Sequence, residues 1–82
     1  MPPMKIQLIL YASLAHLLPE ESSGNSCFVE MAPGTTIRSL FERFQVPLDS
    51  PKIIFLNGRH AMEDHLLHNG DRIAVFPPIA GG

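Results

Sequence analysis

The segment Thr36-Ile37-Arg38-Ser39-Leu40-Phe41-Glu42-Arg43-Phe44 decides how the rest of the chain is read. Ile37, Leu40, Phe41 and Phe44 recur at i, i+3, i+4 and i+7, which puts one apolar stripe on one side of a helix. Thr36 sits where its hydroxyl can accept from an unpaired amide of the first turn. Arg38, Ser39, Glu42 and Arg43 occupy the opposite side, with Arg38 and Glu42 spaced for an i,i+4 ion pair. Pro47 ends the pattern, because a proline disfavours helical geometry in the residue before it. A helix with one apolar side must bury that side on another layer. The flanking sequence has to supply that layer.

It reads as strands on both sides. Lys5-Ile6-Gln7-Leu8-Ile9-Leu10-Tyr11 alternates, with Ile6, Leu8 and Leu10 on a core face and Lys5, Gln7, Ile9 and Tyr11 opposite. Residues 12–18 are apolar enough to stay packed where that strand ends, and Pro19–Ser26 is a polar loop. Cys27-Phe28-Val29-Glu30-Met31 is a second strand, antiparallel to the first, with Cys27, Val29 and Met31 inward. After the helix, Ile53–Leu56 is a third strand. Asn57-Gly58 is a strong hairpin signal, with Arg59-His60-Ala61 beginning the return. Met62–His68 reads as irregular, with one loose helical turn burying Leu66 and Leu67. Asn69-Gly70-Asp71 is another tight turn, and Arg72–Phe76 the last strand, with Ile73 and Val75 inward. Pro77-Pro78 removes two amide donors and stops pairing. The expected fold is α+β, a mixed four- to five-stranded sheet with one main helix on one face. Residues 1–76 form the domain and 77–82 a flexible tail.

Composition agrees with a small folded domain. The chain has 82 residues, of which 45% are apolar and 17% charged, and a mean hydropathy of +0.12. A core of this size supports a stability of roughly 5 kcal/mol. The net charge is −2, and the six Lys and Arg residues are scattered. There is no basic stripe for nucleic acid. No apolar run is long enough to span a bilayer, and the start carries no signal-peptide pattern, so a cytoplasmic protein is expected.

The side chains offer little conventional chemistry. His65 and His68 lie near Glu63 and Asp64, but on a segment without a regular scaffold to aim three or four ligands at a metal. No serine stands in a nucleophile motif with His16, His60, His65 or His68. Cys27, the one cysteine, faces inward and is expected to be an inert buried thiol. The sheet face away from the helix is another matter. Phe28, Phe76 and one of Ile54 or Phe55 belong to it, either as a docking surface or as scattered surface residues.

The remaining reactive group is at the end of the chain. Two terminal glycines arise by chance about once in 200 sequences. Here they follow a rigid exit from a strand. Pro77 to Gly82 reaches about 20 Å when extended. Gly81 and Gly82, lacking β-carbons, fit a narrow channel and present an unhindered carboxylate.

These features together resemble the MoaD/ThiS sulfur-carrier family. The resemblance is carried by the opening strand, Pro33-Gly34-Thr35-Thr36 before the helix, Asn57-Gly58, Asn69-Gly70-Asp71, and above all Phe76-Pro77-Pro78-Ile79-Ala80-Gly81-Gly82. That ending is most similar to the small subunit of molybdopterin synthase. The short link Gln45–Lys52 is closer to the thiamine-type carriers. The resemblance implies the ubiquitin-like β-grasp fold and a protein that is not itself an enzyme. It implies that an activating partner similar to the MoeB/ThiF adenylyltransferases uses ATP and magnesium on Gly82. A persulfide donor then loads sulfur as a thiocarboxylate, and an acceptor takes it. The acceptor would be the large subunit of molybdopterin synthase or a thiazole synthase. No cofactor or metal would be bound by the chain. Gly82 is the reacting end; Gly81, Ala80, Ile79, Pro78, Pro77, Phe76, Phe28 and Phe55 would meet the partners. The alternative use of the same chemistry is a ubiquitin-like modifier joined to lysines.

Overall fold

The computed structural model describes residues 2–19, 22, 24–49 and 51–77. Five strands and one α-helix follow in the order β1 (Met4–Leu10), β2 (Ser26–Met31), α1 (Ile37–Phe44), β3 (Ile53–Leu56), β4 (Arg59–His60) and β5 (Arg72–Phe76). A 3₁₀ helix, Ala12–Leu17, follows β1. The strands form one sheet in the order β2-β1-β5-β3-β4. Its centre is the parallel pair β1–β5, flanked by the antiparallel pairs β1–β2, β3–β5 and β3–β4. Parallel neighbours require a long crossover, and here it contains α1. This is the ubiquitin-like β-grasp expected from the sequence. Among the described residues no helix is long and apolar enough to cross a membrane.

The helix stripe and the strand alternation meet as read. Ile37, Leu40 and Phe41 are fully buried with Ile6, Leu8 and Leu10 of β1 and Ile73 and Val75 of β5. Burying each such side chain contributes roughly 1.5–3 kcal/mol. Thr36 caps the helix, accepting from the Ser39 amide at 3.3 Å. The helix stops at Phe44 because Gln45 turns left-handed at φ 61°, two residues ahead of Pro47. At its far end Arg43 Nη1 donates to the Glu30 carbonyl at 2.6 Å, tying α1 to the edge strand β2.

Several expectations are corrected. Met62–His68 forms no helix but does hold one turn, closed by His65 N donating to the Met62 carbonyl at 3.1 Å, and Leu66 is 52% exposed while Leu67 is buried. The segment runs beside the start of α1. His65 and Glu63 carbonyls accept from the Ile37 and Arg38 amides at 3.0 and 2.8 Å, and Leu67 N donates to the Thr35 carbonyl at 2.9 Å. A bridge between Thr36 and Leu66 makes the local backbone strand-like, so consecutive leucines face opposite ways. Arg38 pairs with Glu63 at 3.5 Å, a carboxylate brought in by that same segment, rather than with Glu42. Ile9 lies on the outer face yet is 4% exposed, because β1 is flanked on both sides, by Ser26 and Ala74 in register. Cys27 is half-buried rather than buried, since β2 is an edge strand.

The two turns predicted from Asn-Gly pairs are joined to each other. Asn57 and Gly58 both have positive φ, at 52° and 85°, the requirement of the tightest hairpin loop. Asn57 Nδ2 donates to Asp71 Oδ1 at 3.0 Å, and Asn57 Oδ1 accepts from Arg72 N at 2.9 Å. Asp71, buried at 8% exposure, also accepts from the His68 amide at 2.7 Å. Asp71→Ala strips an acceptor from both donors and should cost about 1–3 kcal/mol in urea denaturation. Leu40→Ala should cost about 2–5 kcal/mol by the same measurement, through the cavity it opens under α1.

Candidate functional site

The site is built where β5 ends. Being central, β5 is held from both sides: Leu10 of β1 pairs with Val75, and Ile53 of β3 pairs with Phe76. One residue beyond β1, the Tyr11 amide donates to the Val75 carbonyl at 3.1 Å. That bond carries the β1–β5 register one step further and sets Tyr11 against Phe76. The two rings stack face to face, centroids 4.2 Å apart and 6° from parallel. Phe55 meets Phe76 edge-on at 5.8 Å and 88°, and His60 meets Phe55 at 5.1 Å and 80°. Each such aromatic pair contributes about 0.5–1.5 kcal/mol beyond the area it buries. A band Tyr11–Phe76–Phe55–His60 therefore crosses the outer face at the root of the tail.

The choice left open between Ile54 and Phe55 is settled. Ile54 is 6% exposed in the core, and Phe55 is on the outer face. Pro77, half-buried, follows Phe76 and borders a cleft of about 390 Å³. Leu14 and Leu17 of the 3₁₀ helix wall it on one side, and Pro47, Pro51 and Lys52 on the other. Phe28 does not join the band. It lies on β2, in register with Gln7 and through it with Arg72. That is about 10 Å across and about 13 Å along the sheet from Phe76. Phe28 is 65% exposed, with the Lys5 ammonium 5.3 Å from its ring centroid. Pro78, Ile79, Ala80, Gly81 and Gly82 lie outside the described residues.

Among the described residues, no three His, Cys, Asp or Glu side chains converge on a metal position. His16 Nδ1 donates to the Ser13 backbone carbonyl at 2.6 Å, which engages no hydroxyl. His68 and Asp71 approach only to 3.9 Å. The amides opening α1 are all bonded, to Glu63 and His65 carbonyls and to Thr36, so the helix start has none to offer an anion.

Sequence reasoning missed Tyr11 and His60. Tyr11 was legible as an outward residue, but only the parallel register of β1 with β5, which is not local, sets it on Phe76. His60 carried a weaker signal, its place just after the Asn57-Gly58 turn, which puts it opposite Phe55.

A mixed five-stranded sheet with its parallel pair at the centre and a helix on one face is the β-grasp of a ubiquitin-like protein. Sequence comparison gives the family: the model described as Mut7-C ubiquitin matches residues 3–80, and the chain belongs to that family. No curated protein matches it. Among solved structures, the chain is similar to small archaeal modifier protein 1 of Haloferax volcanii, at TM-score 0.74 and 18% identity, covering 93% of this chain and 99% of that one. It is similar to a Pyrococcus furiosus protein assigned as molybdopterin converting factor subunit 1, at TM-score 0.71 and 23% identity, covering 93% and 99%. It is also similar to a chain in the complex of subunits 1 and 2 of molybdopterin-converting factor from Helicobacter pylori, at TM-score 0.60 and 19% identity, covering 96% and 100%. At these identities the likeness is one of fold.

The aromatic band should hold the tail root in place. Phe76→Ala is expected to lower the urea midpoint modestly and to sharpen the Tyr11 ring resonances in NMR spectra. An unchanged Tyr11 environment would mean that the stack does not persist in solution.

Proposed function

We propose that the chain is a sulfur carrier whose Gly82 carboxylate is the reacting group, serving first the synthesis of molybdopterin. The observation carrying this reading is the placement of Phe76, in register with Ile53 of β3 and stacked on Tyr11. A Gly-Gly end follows six positions later in sequence. A carboxylate is a poor electrophile, so an activating partner of the MoeB/ThiF type must first spend ATP, with magnesium, to form an acyl-adenylate. One carboxylate oxygen bonds the α-phosphorus and pyrophosphate leaves. The terminal sulfur of a protein persulfide then attacks the acyl carbon, and the C–O bond to AMP breaks. A thiol cleaves the resulting S–S bond, leaving the thiocarboxylate at Gly82 and a disulfide on the donor side.

The chain contributes a reactant and a docking face, and no catalytic side chain. Pro77 and Pro78 stiffen the exit. Ile79 and Ala80 supply apolar contact, and Gly81 and Gly82 allow passage through a narrow channel. Phe76 and Phe55, with Tyr11 and His60 beside them, form the docking face. The acceptor is the large subunit of a molybdopterin synthase, a reading supported by the likeness to subunit 1 of the Helicobacter pylori complex. Thiazole formation is the alternative within the same chemistry, favoured by the short link Gln45–Lys52. A protein modifier is the second reading, favoured by the likeness to small archaeal modifier protein 1.

Intact-mass analysis of the chain isolated from its host decides between them. One oxygen replaced by sulfur at a mature end at Gly82 supports the carrier, and lysine-linked conjugates support the modifier. Mature molecules that all continue past position 82 would overturn both. Deleting Gly81 and Gly82 should leave the urea midpoint unchanged and abolish sulfur transfer; retained transfer would leave a passive binding module.

A further inference from the structure

Asparagine followed by glycine is the pair most prone to convert without an enzyme, because the glycine amide attacks the asparagine side-chain carbonyl unhindered. The chain carries it twice, as Asn57-Gly58 and Asn69-Gly70. Attack needs a free amide nitrogen on the glycine and a side-chain carbonyl carbon able to swing onto it. The fold withholds both at Asn69. Gly70 N donates to the Lys5 carbonyl at 2.9 Å, and Asn69 Oδ1 accepts from the Lys5 amide at 2.8 Å. Both bonds fasten the turn to β1, an interior strand, and Asp71 N closes the same turn on the His68 carbonyl at 3.0 Å. Asn57 is held differently. Its side chain is engaged at both ends, Nδ2 by Asp71 Oδ1 at 3.0 Å and Oδ1 by Arg72 N at 2.9 Å. The Gly58 amide, by contrast, makes no hydrogen bond among the described residues. The turn leads into β4, an edge strand of two residues, which opens more readily than an interior one. Two side-chain bonds are all that restrain the reaction there.

We propose that Asn57 is a self-modification site, where the side chain cyclises onto the Gly58 amide and reopens as a mixture of aspartate and isoaspartate. The Gly58 nitrogen, having given its proton to a solvent base, attacks Asn57 Cγ. The N–C bond forms as the Cγ–Nδ2 bond breaks, and Nδ2 takes a proton from solvent and leaves as ammonia. Water then adds to one carbonyl of the five-membered imide, and the bond from that carbonyl to nitrogen breaks. Opening at the side-chain carbonyl gives aspartate; opening at the backbone carbonyl gives isoaspartate. Aspartate at position 57 sets a carboxylate against Asp71 Oδ1, where an amide donor stood. Isoaspartate adds a backbone atom to the tight loop and breaks the match of Leu56 with Arg59 and of Phe55 with His60. His60 rests edge-on against Phe55, which in turn meets Phe76. A change at the hairpin tip thereby reaches the aromatic band where β5 ends. None of this chemistry depends on the reading of Gly82.

The full chain, with no substitution, is incubated in mildly alkaline native buffer and in concentrated urea. Peptide mapping by mass spectrometry follows the amide-to-acid mass gain at each site. In urea neither turn persists, so the two rates give the intrinsic ratio of the sites. Relative to that ratio, conversion in native buffer should favour Asn57 over Asn69 by at least about fivefold. Isoaspartate should accompany aspartate at position 57, the mark of a cyclic imide. A corrected ratio near or below one, or aspartate alone at that position, would overturn the proposal. The consequence is read by NMR on the full chain. Asn57→Asp should shift the His60 and Phe55 ring resonances, and Asn69→Asp should leave them in place. Resonances of His60 and Phe55 unmoved by Asn57→Asp would overturn the link to the aromatic band.

Discussion

Burial of the α1 stripe against β1 and β5 is the contact on which the other features depend. A helix of eight residues is too short to persist alone in water, and two parallel strands cannot be joined by a tight turn. Each problem is solved by the other. Ile37, Leu40 and Phe41 find their burial over Ile6, Leu8, Leu10, Ile73 and Val75, and the crossover that carries α1 lets the first and last strands pair. Placing β5 in the middle of the sheet then constrains its end from both sides. Pairing on both sides fixes where β5 ends.

The surface follows from the same arrangement. With α1 covering one face, the rings of Phe55 on β3 and Phe76 on β5 pack on one another and on Tyr11 across the other. Tyr11, Phe76, Phe55 and His60 form an aromatic band where β5 ends, while Phe28 and Lys5 make a separate corner toward the β2 edge. The ionisable groups are largely occupied in holding loops. Asp71 joins two turns, Glu63 draws Arg38 and Lys52 together, and the backbone of 63–67 occupies the opening amides of α1. Side chains spent in this way hold the loops around α1 and β5 in place.

Local patterns were legible wherever a short-range physical rule applied. The i, i+3, i+4 stripe named the buried face of α1 because helical geometry alone sets it. Parity named Val29, Met31, Ile73 and Val75, because successive side chains on a strand must alternate. Asn57-Gly58 named its own turn, because two consecutive positive φ values exclude most residue types. The Gly-Gly ending was visible as composition, and with the turn motifs it carried the family resemblance.

Tertiary structure decided what no local rule reaches. Strand order set Ile9 in the middle of the sheet and Cys27 at its edge, so residues of similar pattern differ in burial. Packing of 62–68 beside α1 exposed Leu66, buried Leu67 and gave Arg38 a carboxylate from distant sequence. The parallel register of β1 with β5 stacked Tyr11 on Phe76 and left Phe28 apart with Lys5. Sequence by itself determined which residues seek burial and where the backbone can turn, since propensity and periodicity act over a few residues. Which side chains meet was settled only when strands far apart in the chain paired, because that choice is made by the energy of the whole core.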